Sequence, residues 1–303
     1  MALTDRKAEL EPTVNNSVIM HINYCEQGQA MPELCRKAVG WGFDGIEFRL
    51  RRTALQESPE AYLDLIARSA ETAGLAEILF GVPTADLTLP DAAARAEEIA
   101  GCIRFYEMAR ARLQNKFSMA NAGAGFVRNP DKTVTFEEFE RNGSGCATEQ
   151  HWQWAVDGYR MIGEALARLG VRLAFETHMG YLHDTPPASA QLVDRIARPN
   201  VGVNLDYGNI VYFKKSYPLA ETITTLGPRI FYTHLKNSMA LPSGGRIPTE
   251  LGGGDINHRE YLRLLKDAGF TGPIGIEAPR PGDRESFAKP DLEYIRAVMR
   301  DLG

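Results

Sequence analysis

The segment Leu169-Gly170-Val171-Arg172-Leu173-Ala174-Phe175-Glu176-Thr177-His178 holds the design of the whole chain in miniature. A helix ends at Leu169, and Gly170 supplies a left-handed cap that turns the chain back. The apolar run that follows reads as a buried strand whose last inward position is an acid. The junction recurs at Ala38-Val39-Gly40-Trp41-Gly42-Phe43, at Ala73-Gly74 before Leu75–Phe80, and at Ala268-Gly269 before Ile274–Glu277. Three more runs close on a residue able to bind metal: Val203-Asn204-Leu205-Asp206, Ile230-Phe231-Tyr232-Thr233-His234 and Ile274-Gly275-Ile276-Glu277.

Extending this reading outward, strands are expected near 17–22, 44–49, 76–81, 116–121, 171–176, 201–206, 229–234 and 273–277. Helices are expected near 31–40, 59–73, 91–113, 149–169, 187–198, 218–226, 257–268 and 290–301. Ser58-Pro59 and Asn257 with Glu260 are helix starts. Strand–helix alternation of this kind predicts an α/β chain closed into a parallel (β/α)8 TIM barrel. A single domain spans 17–303, behind an N-terminal extension over 1–16. A doubly wound sheet is the rival, but no Gly-rich phosphate turn follows the first strand. Long loops near 123–148 and 237–256 follow strands and so lie over the active-site mouth. The first carries a short helix over Phe136–Arg141, the second the run Gly252-Gly253-Gly254.

The chain has 303 residues, enough for a large core, and a net charge of −5 with a pI near 5.8. That balance offers no footprint for a nucleic-acid backbone. No apolar run is long enough to span a membrane, and the start lacks a signal-peptide pattern, so a cytoplasmic protein is expected. Cysteines at 25, 35, 102 and 146 have no zinc-type spacing and read as reduced thiols, Cys25 on a loop, Cys35 and Cys102 on helices.

In a barrel the ends of the last four strands share one mouth, so Glu176, Asp206, His234 and Glu277 should converge. Three carboxylates and an imidazole form a mixed donor set for a hard or borderline divalent cation. Without a cation, their mutual repulsion would be costly.

The segments Phe-Glu-Thr-His, Asn-Leu-Asp-Tyr-Gly-Asn, Thr-His-Leu-Lys-Asn and Ile-Glu-Ala resemble the sugar phosphate isomerase/epimerase superfamily of xylose-isomerase-like barrels. The resemblance implies one bound divalent cation, Mn²⁺ first with Mg²⁺, Co²⁺ or Zn²⁺ as alternatives, held by Glu176, Asp206, His234 and Glu277. It implies a sugar or polyol substrate deprotonated next to a carbonyl through an enediolate, with Glu176 and Glu277 as base and acid. An isomerase or epimerase is the first expectation; a lyase or dehydratase on a keto-inositol or 3-keto-glycoside is the alternative. Asn209 stands where keto-sugar 3-epimerases of the superfamily carry a histidine, and asparagine cannot shuttle a proton near neutral pH.

His178, Lys236, Arg246, Glu47 and His21 join Asn209 as expected substrate-binding residues. Glu47 and Arg49 share a strand face and are also readable as an ion pair filling the barrel. Arg280 and Arg284 are weaker candidates for a phosphate, and Trp152 and Trp154 fit helix packing. The apurinic endonucleases of this fold use a histidine-rich zinc cluster, which six histidines mostly off the strand ends do not supply. A homo-oligomer is compatible with the sequence but not encoded visibly in it.

Overall fold

The computed structural model describes residues 16–24, 29–49, 58–81, 85–278 and 280–303. Most of the extension over 1–16, and Cys25, lie outside the described residues. Eight parallel strands close into a barrel: β1 (Val18–His21), β2 (Gly45–Arg49), β3 (Glu77–Gly81), β4 (Phe117–Ala122), β5 (Arg172–Glu176), β6 (Val201–Asp206), β7 (Ile230–Leu235) and β10 (Ile274–Ile276). Between β7 and β10 lies an antiparallel pair, β8 (Asn237–Ala240) and β9 (Arg246–Thr249). The loop expected over 237–256 is therefore a hairpin. Buried Asn237 closes it, donating to Leu251 O and Ile256 O while Oδ1 accepts from Ile256 N.

The helices are α1 (Met31–Trp41), α2 (Pro59–Ala73), α3 (Ala92–Leu113), α4 (Glu149–Arg168), α5 (Pro186–Ile196), α6 (Tyr207–Ile210), α7 (Leu219–Leu226), α8 (His258–Asp267) and α9 (Glu285–Leu302). Ser58 Oγ accepts from Ala61 N ahead of α2, and Asn257 Oδ1 from Glu260 N at α8, as the N-cap reading expects. Gly170 sits at φ +68°, the left-handed geometry its junction requires. Among the described residues, no helix is long and apolar enough to cross a membrane.

Two layers of side chains hold the barrel. Outside, apolar strand residues meet the helices in one continuous core that includes Cys35 of α1, Cys102 of α3 and Trp152 of α4. Trp154 carries the Arg95 guanidinium over its ring. Inside, Ile19, Leu79, Met119, Ala174 and Tyr232 form a plug of fully buried residues. Register places His21 opposite Glu47, and Asp206 opposite His234, in one tier above that plug.

The loop after β4 holds two 3₁₀ turns, Phe139–Arg141 and Gly143–Gly145, in place of the single helix expected over 136–141. Asp184 anchors it, Oδ2 accepting from Ser144 N at 3.1 Å. Burial pushes the Asp184 carboxyl up to about 7, and its Oδ1 is buried without a partner. An acid whose native value exceeds its unfolded value holds its proton more tightly when folded. Its contribution to stability is then complete at acid pH and is lost as pH rises through about 7. Asp184→Asn is expected to match the wild type in urea denaturation near pH 4 and to exceed it at pH 8 by about 1 kcal/mol or more.

Candidate metal centre

Each strand end brings one donor to the mouth. Glu176 is the last residue of β5 and Asp206 the last of β6, His234 lies inward on β7, and Glu277 follows β10 directly. Ligand atoms of these four all lie within 4.8 Å of one another. His234 Nδ1 stands 3.0 Å from Glu277 Oε2, 3.7 Å from Glu176 Oε1 and 3.9 Å from Asp206 Oδ2. His234 Nδ1 and Glu277 Oε2 are both buried without a geometrically aligned hydrogen bond, although Lys236 Nζ stands 3.1 Å from Glu277 Oε2 as an ion pair. A buried imidazole nitrogen and carboxylate oxygens crowded together in this way are what a shared cation would satisfy. The four residues fit a divalent ion.

The three acids are set differently: against burial, His234 and Lys236 hold Glu176, and His21, Lys236 and His234 hold Glu277, well below the usual carboxylate range. Burial, opposed by Lys236 but reinforced by Glu176 and Glu277, pushes the Asp206 carboxyl up to about 8. Burial alone would lower the His234 imidazole, yet Glu47 and Glu277 outweigh it and hold it well above its usual value.

Glu47, expected at the substrate, is instead fully buried behind the centre. Its Oε2 accepts from His234 Nε2 at 2.7 Å and from Tyr232 Oη at 2.6 Å, while Oε1 accepts from Asn121 Nδ2 at 3.1 Å. A carboxylate on one imidazole nitrogen turns the other toward the metal. Glu47 also does not pair with Arg49; Arg49 Nη2 reaches past β1 to Glu277 Oε1 at 3.1 Å. Room for Glu47 comes from Gly81, where a Cβ would stand 2.3 Å from Oε1.

His21 is buried too. Its Nδ1 accepts from Asn23 N, leaving the proton on Nε2, which faces Glu277 Oε1 at 3.5 Å. Burial lowers this imidazole to about 4, so it is neutral at physiological pH. Asn209 donates Nδ2 toward Glu176 Oε1, Asp206 Oδ2 and Thr177 O, each within about 3.0 Å. Its amide hydrogens are thus spent on the carboxylates they orient. Lys236 stands within the cluster, Nζ 2.6 Å from Asp206 Oδ2.

The remaining candidates lie away from the donor set. His178, expected on the same side as Glu176, leaves the strand, which ends one residue before Thr177. Its Nδ1 meets Met179 O, and its ring packs by Phe126 and Tyr181. Arg246 does not close on the centre; it fastens the β8–β9 hairpin to Ser238 Oγ, Ser238 O and Asp255 Oδ2. Arg280 pairs with Asp291 at 2.9 Å and donates to Thr249 O, and Arg284 donates to Asn23 O. Both guanidiniums tie loops together.

Sequence reasoning missed Tyr232, Asn121, Asn23 and His183. Tyr232 is two residues before His234, so strand alternation alone placed it on the same face. Asn121 is the corresponding inward residue of β4. His183 Nδ1 meets the Glu176 carbonyl at 2.6 Å; no pattern in the sequence marks that contact.

A family model described as xylose isomerase-like TIM barrel matches residues 35–298. The chain belongs to that family. The 3-dehydroshikimate dehydratase of Bacillus anthracis is 31% identical over 97 residues, 32% of this chain and 34% of that protein. An inosose dehydratase of Klebsiella pneumoniae (strain 342) is 25% identical over 169 residues, 50% of this chain and 56% of its own length. The matched stretches thus span between a third and somewhat over half of these curated relatives. Among solved structures, a xylose isomerase-like barrel from Mycobacterium smegmatis in complex with magnesium superposes with a TM-score of 0.73 at 18% identity, covering 97% of this chain and 99% of that one. D-psicose 3-epimerase, crystallised in the presence of D-fructose, gives 0.72 at 20% identity, with 93% and 99% covered. These two likenesses establish the xylose isomerase-like fold.

Proposed function

We propose that this xylose isomerase-like barrel is a divalent-metal-dependent lyase that dehydrates a polyhydroxy ketone. The observation that carries the reading is the unequal setting of its two glutamates. Glu277 Oε1 is gripped by Asn23 Nδ2 and Arg49 Nη2, both at 3.1 Å, with His21 Nε2 at 3.5 Å. Donors on an anion favour its charged form, so Glu277 is a fixed carboxylate, poorly suited to exchanging a proton. Glu176 takes one close hydrogen bond, from Asn209 Nδ2, with His234 Nδ1 and Lys236 Nζ further off at 3.7 and 4.0 Å, and its side chain is 12% exposed against 7% for Glu277. A carboxylate gripped by several donors beside one held by a single close hydrogen bond suits a reaction with a single abstracted proton.

The chemistry a bound divalent ion supplies is Lewis-acid stabilisation of the enediolate, worth several kcal/mol. Glu176, Asp206, His234 and Glu277 would hold it. Glu176 takes the proton from the carbon beside the carbonyl. As a carboxylic acid it then returns that proton to the hydroxyl one carbon further on, so the C–O bond breaks, water leaves and the carboxylate is regenerated. Lys236 offers an ammonium to the developing oxyanion, and Asn209 holds Glu176 in place. The names of the two curated relatives described above, a 3-dehydroshikimate dehydratase and an inosose dehydratase, support elimination, and so does Asn209 in place of a proton-shuttling histidine.

Epimerisation is the second reading, supported by the presence of two glutamates at the centre. There Glu277 would return a proton to the opposite face. The test is incubation with Mn²⁺ in D₂O of a keto-inositol, a 3-keto-glucoside, 3-dehydroshikimate and D-fructose, followed by NMR. Loss of water or aglycone is expected with at least one of them. A deuterated epimer formed without any elimination product would overturn the lyase reading in favour of the second.

A further inference from the structure

The oxygens that would face a divalent ion also face a lysine. Lys236 Nζ stands 2.6 Å from Asp206 Oδ2, 3.1 Å from Glu277 Oε2 and 4.0 Å from Glu176 Oε1. These are the same three oxygens that His234 Nδ1 approaches. Imidazole and ammonium therefore flank one triad of oxygens. His234 is fully buried, whereas the Lys236 side chain is 23% exposed, so the ammonium comes from the open side. Its position is built in. Gly208 leaves room for the stem, since a Cβ there would stand 2.1 Å from Lys236 Cγ. Asn209 Oδ1 lies 3.3 Å from Nζ.

Two cations using the same oxygens stand within a few ångströms of each other, where a buried site screens their repulsion weakly. They cannot both bind at full strength. We infer that Lys236 is a tethered cation competing with the divalent ion for these three oxygens, so that metal loading moves its ammonium outward to the substrate side of the mouth. The inference rests on the metal-dependent reading above. It adds that the metal readies the lysine, and that the lysine sets how tightly the metal is held.

The test is calorimetric titration of Mn²⁺ into chelator-treated wild type and Lys236→Met. The variant is expected to bind Mn²⁺ about tenfold more tightly or better, a difference of about 1.4 kcal/mol. Its chelator-treated form should melt below the wild type, and Mn²⁺ should raise its melting temperature by the larger step. In wild type, reductive methylation of Lys236, followed by mass spectrometry, should be slow under chelator and faster with Mn²⁺. Unchanged or weaker Mn²⁺ binding by the variant overturns the competition, as does labelling indifferent to Mn²⁺. If Lys236→Met does not fold, Lys236→Gln carries the titration, and the labelling arm needs no substitution. Wild type that binds none of Mn²⁺, Mg²⁺, Co²⁺ or Zn²⁺ would sink the metal reading itself; wild type that binds while the variant gains nothing sinks this inference alone.

Discussion

Glu176→Gln is expected to lower turnover of a responding keto-substrate by about 10²–10⁴-fold, the usual worth of a positioned proton acceptor. Glutamine keeps the length of the side chain and an oxygen for Asn209 Nδ2, so the local hydrogen bond survives. It cannot take a proton at any working pH. Glu176 is also a candidate ligand, so the comparison belongs at saturating Mn²⁺, where weakened binding no longer limits the rate. Far-ultraviolet circular dichroism should be unchanged, because the substitution lies at the end of β5 above the packed plug. Turnover within tenfold of the wild type under those conditions would remove Glu176 as the base and transfer attention to Glu277.

The second large effect concerns a residue that need never touch substrate. Glu47→Gln should weaken Mn²⁺ binding by about 10- to 100-fold, the range seen when the group behind a metal-binding histidine is lost. Glu47 accepts three hydrogen bonds, from His234 Nε2, Tyr232 Oη and Asn121 Nδ2. An amide has one oxygen, so its NH₂ must meet a donor whichever way it turns. Turned one way the NH₂ displaces the bond from Asn121, turned the other those from His234 and Tyr232; in either case His234 is left with at best a neutral, weaker acceptor. Burial would raise the Glu47 carboxyl, but His234 beside it holds it down at about 2, so the native group is an anion and the substitution also removes a charge. Titration calorimetry on the chelator-treated variant is the measurement. An unchanged affinity would mean that His234 is oriented by packing alone.

The roles of the loop arginines show where one-dimensional reasoning stops. Arg246, Arg280 and Arg284 follow strands at the mouth, which made each a candidate for substrate or phosphate. Their guanidiniums bond Asp255, Asp291 and a set of backbone carbonyls instead. A guanidinium carries five donors, and a long loop presents many unpaired carbonyls. Which of these meet depends on how the loop folds back, and charge pattern does not encode that. The β8–β9 hairpin is an instance: Asn237 gathers Leu251 and Ile256 around one side chain at its base.

The barrel and its four convergent donors were legible because both depend on local rules. A helix capped by glycine, followed by a short apolar strand, repeats along the chain, and strand ends in a closed parallel barrel must share a mouth. Sequence alone therefore determined the fold and the approximate composition of the centre. Glu47 was visible as an inward residue of β2, but its distance from His234 was not. Only closure of the ring, through β1 and β10, brings β2 within reach of β7, with Gly81 leaving space for the carboxylate. The same holds for Lys236, whose place two residues after His234 could be read, while its reach to Asp206 and Glu277 could not. Strand alternation is a property of one segment; which side chains face each other across an interior depends on register, closure and the volume left by neighbours, and those exist only in the folded chain.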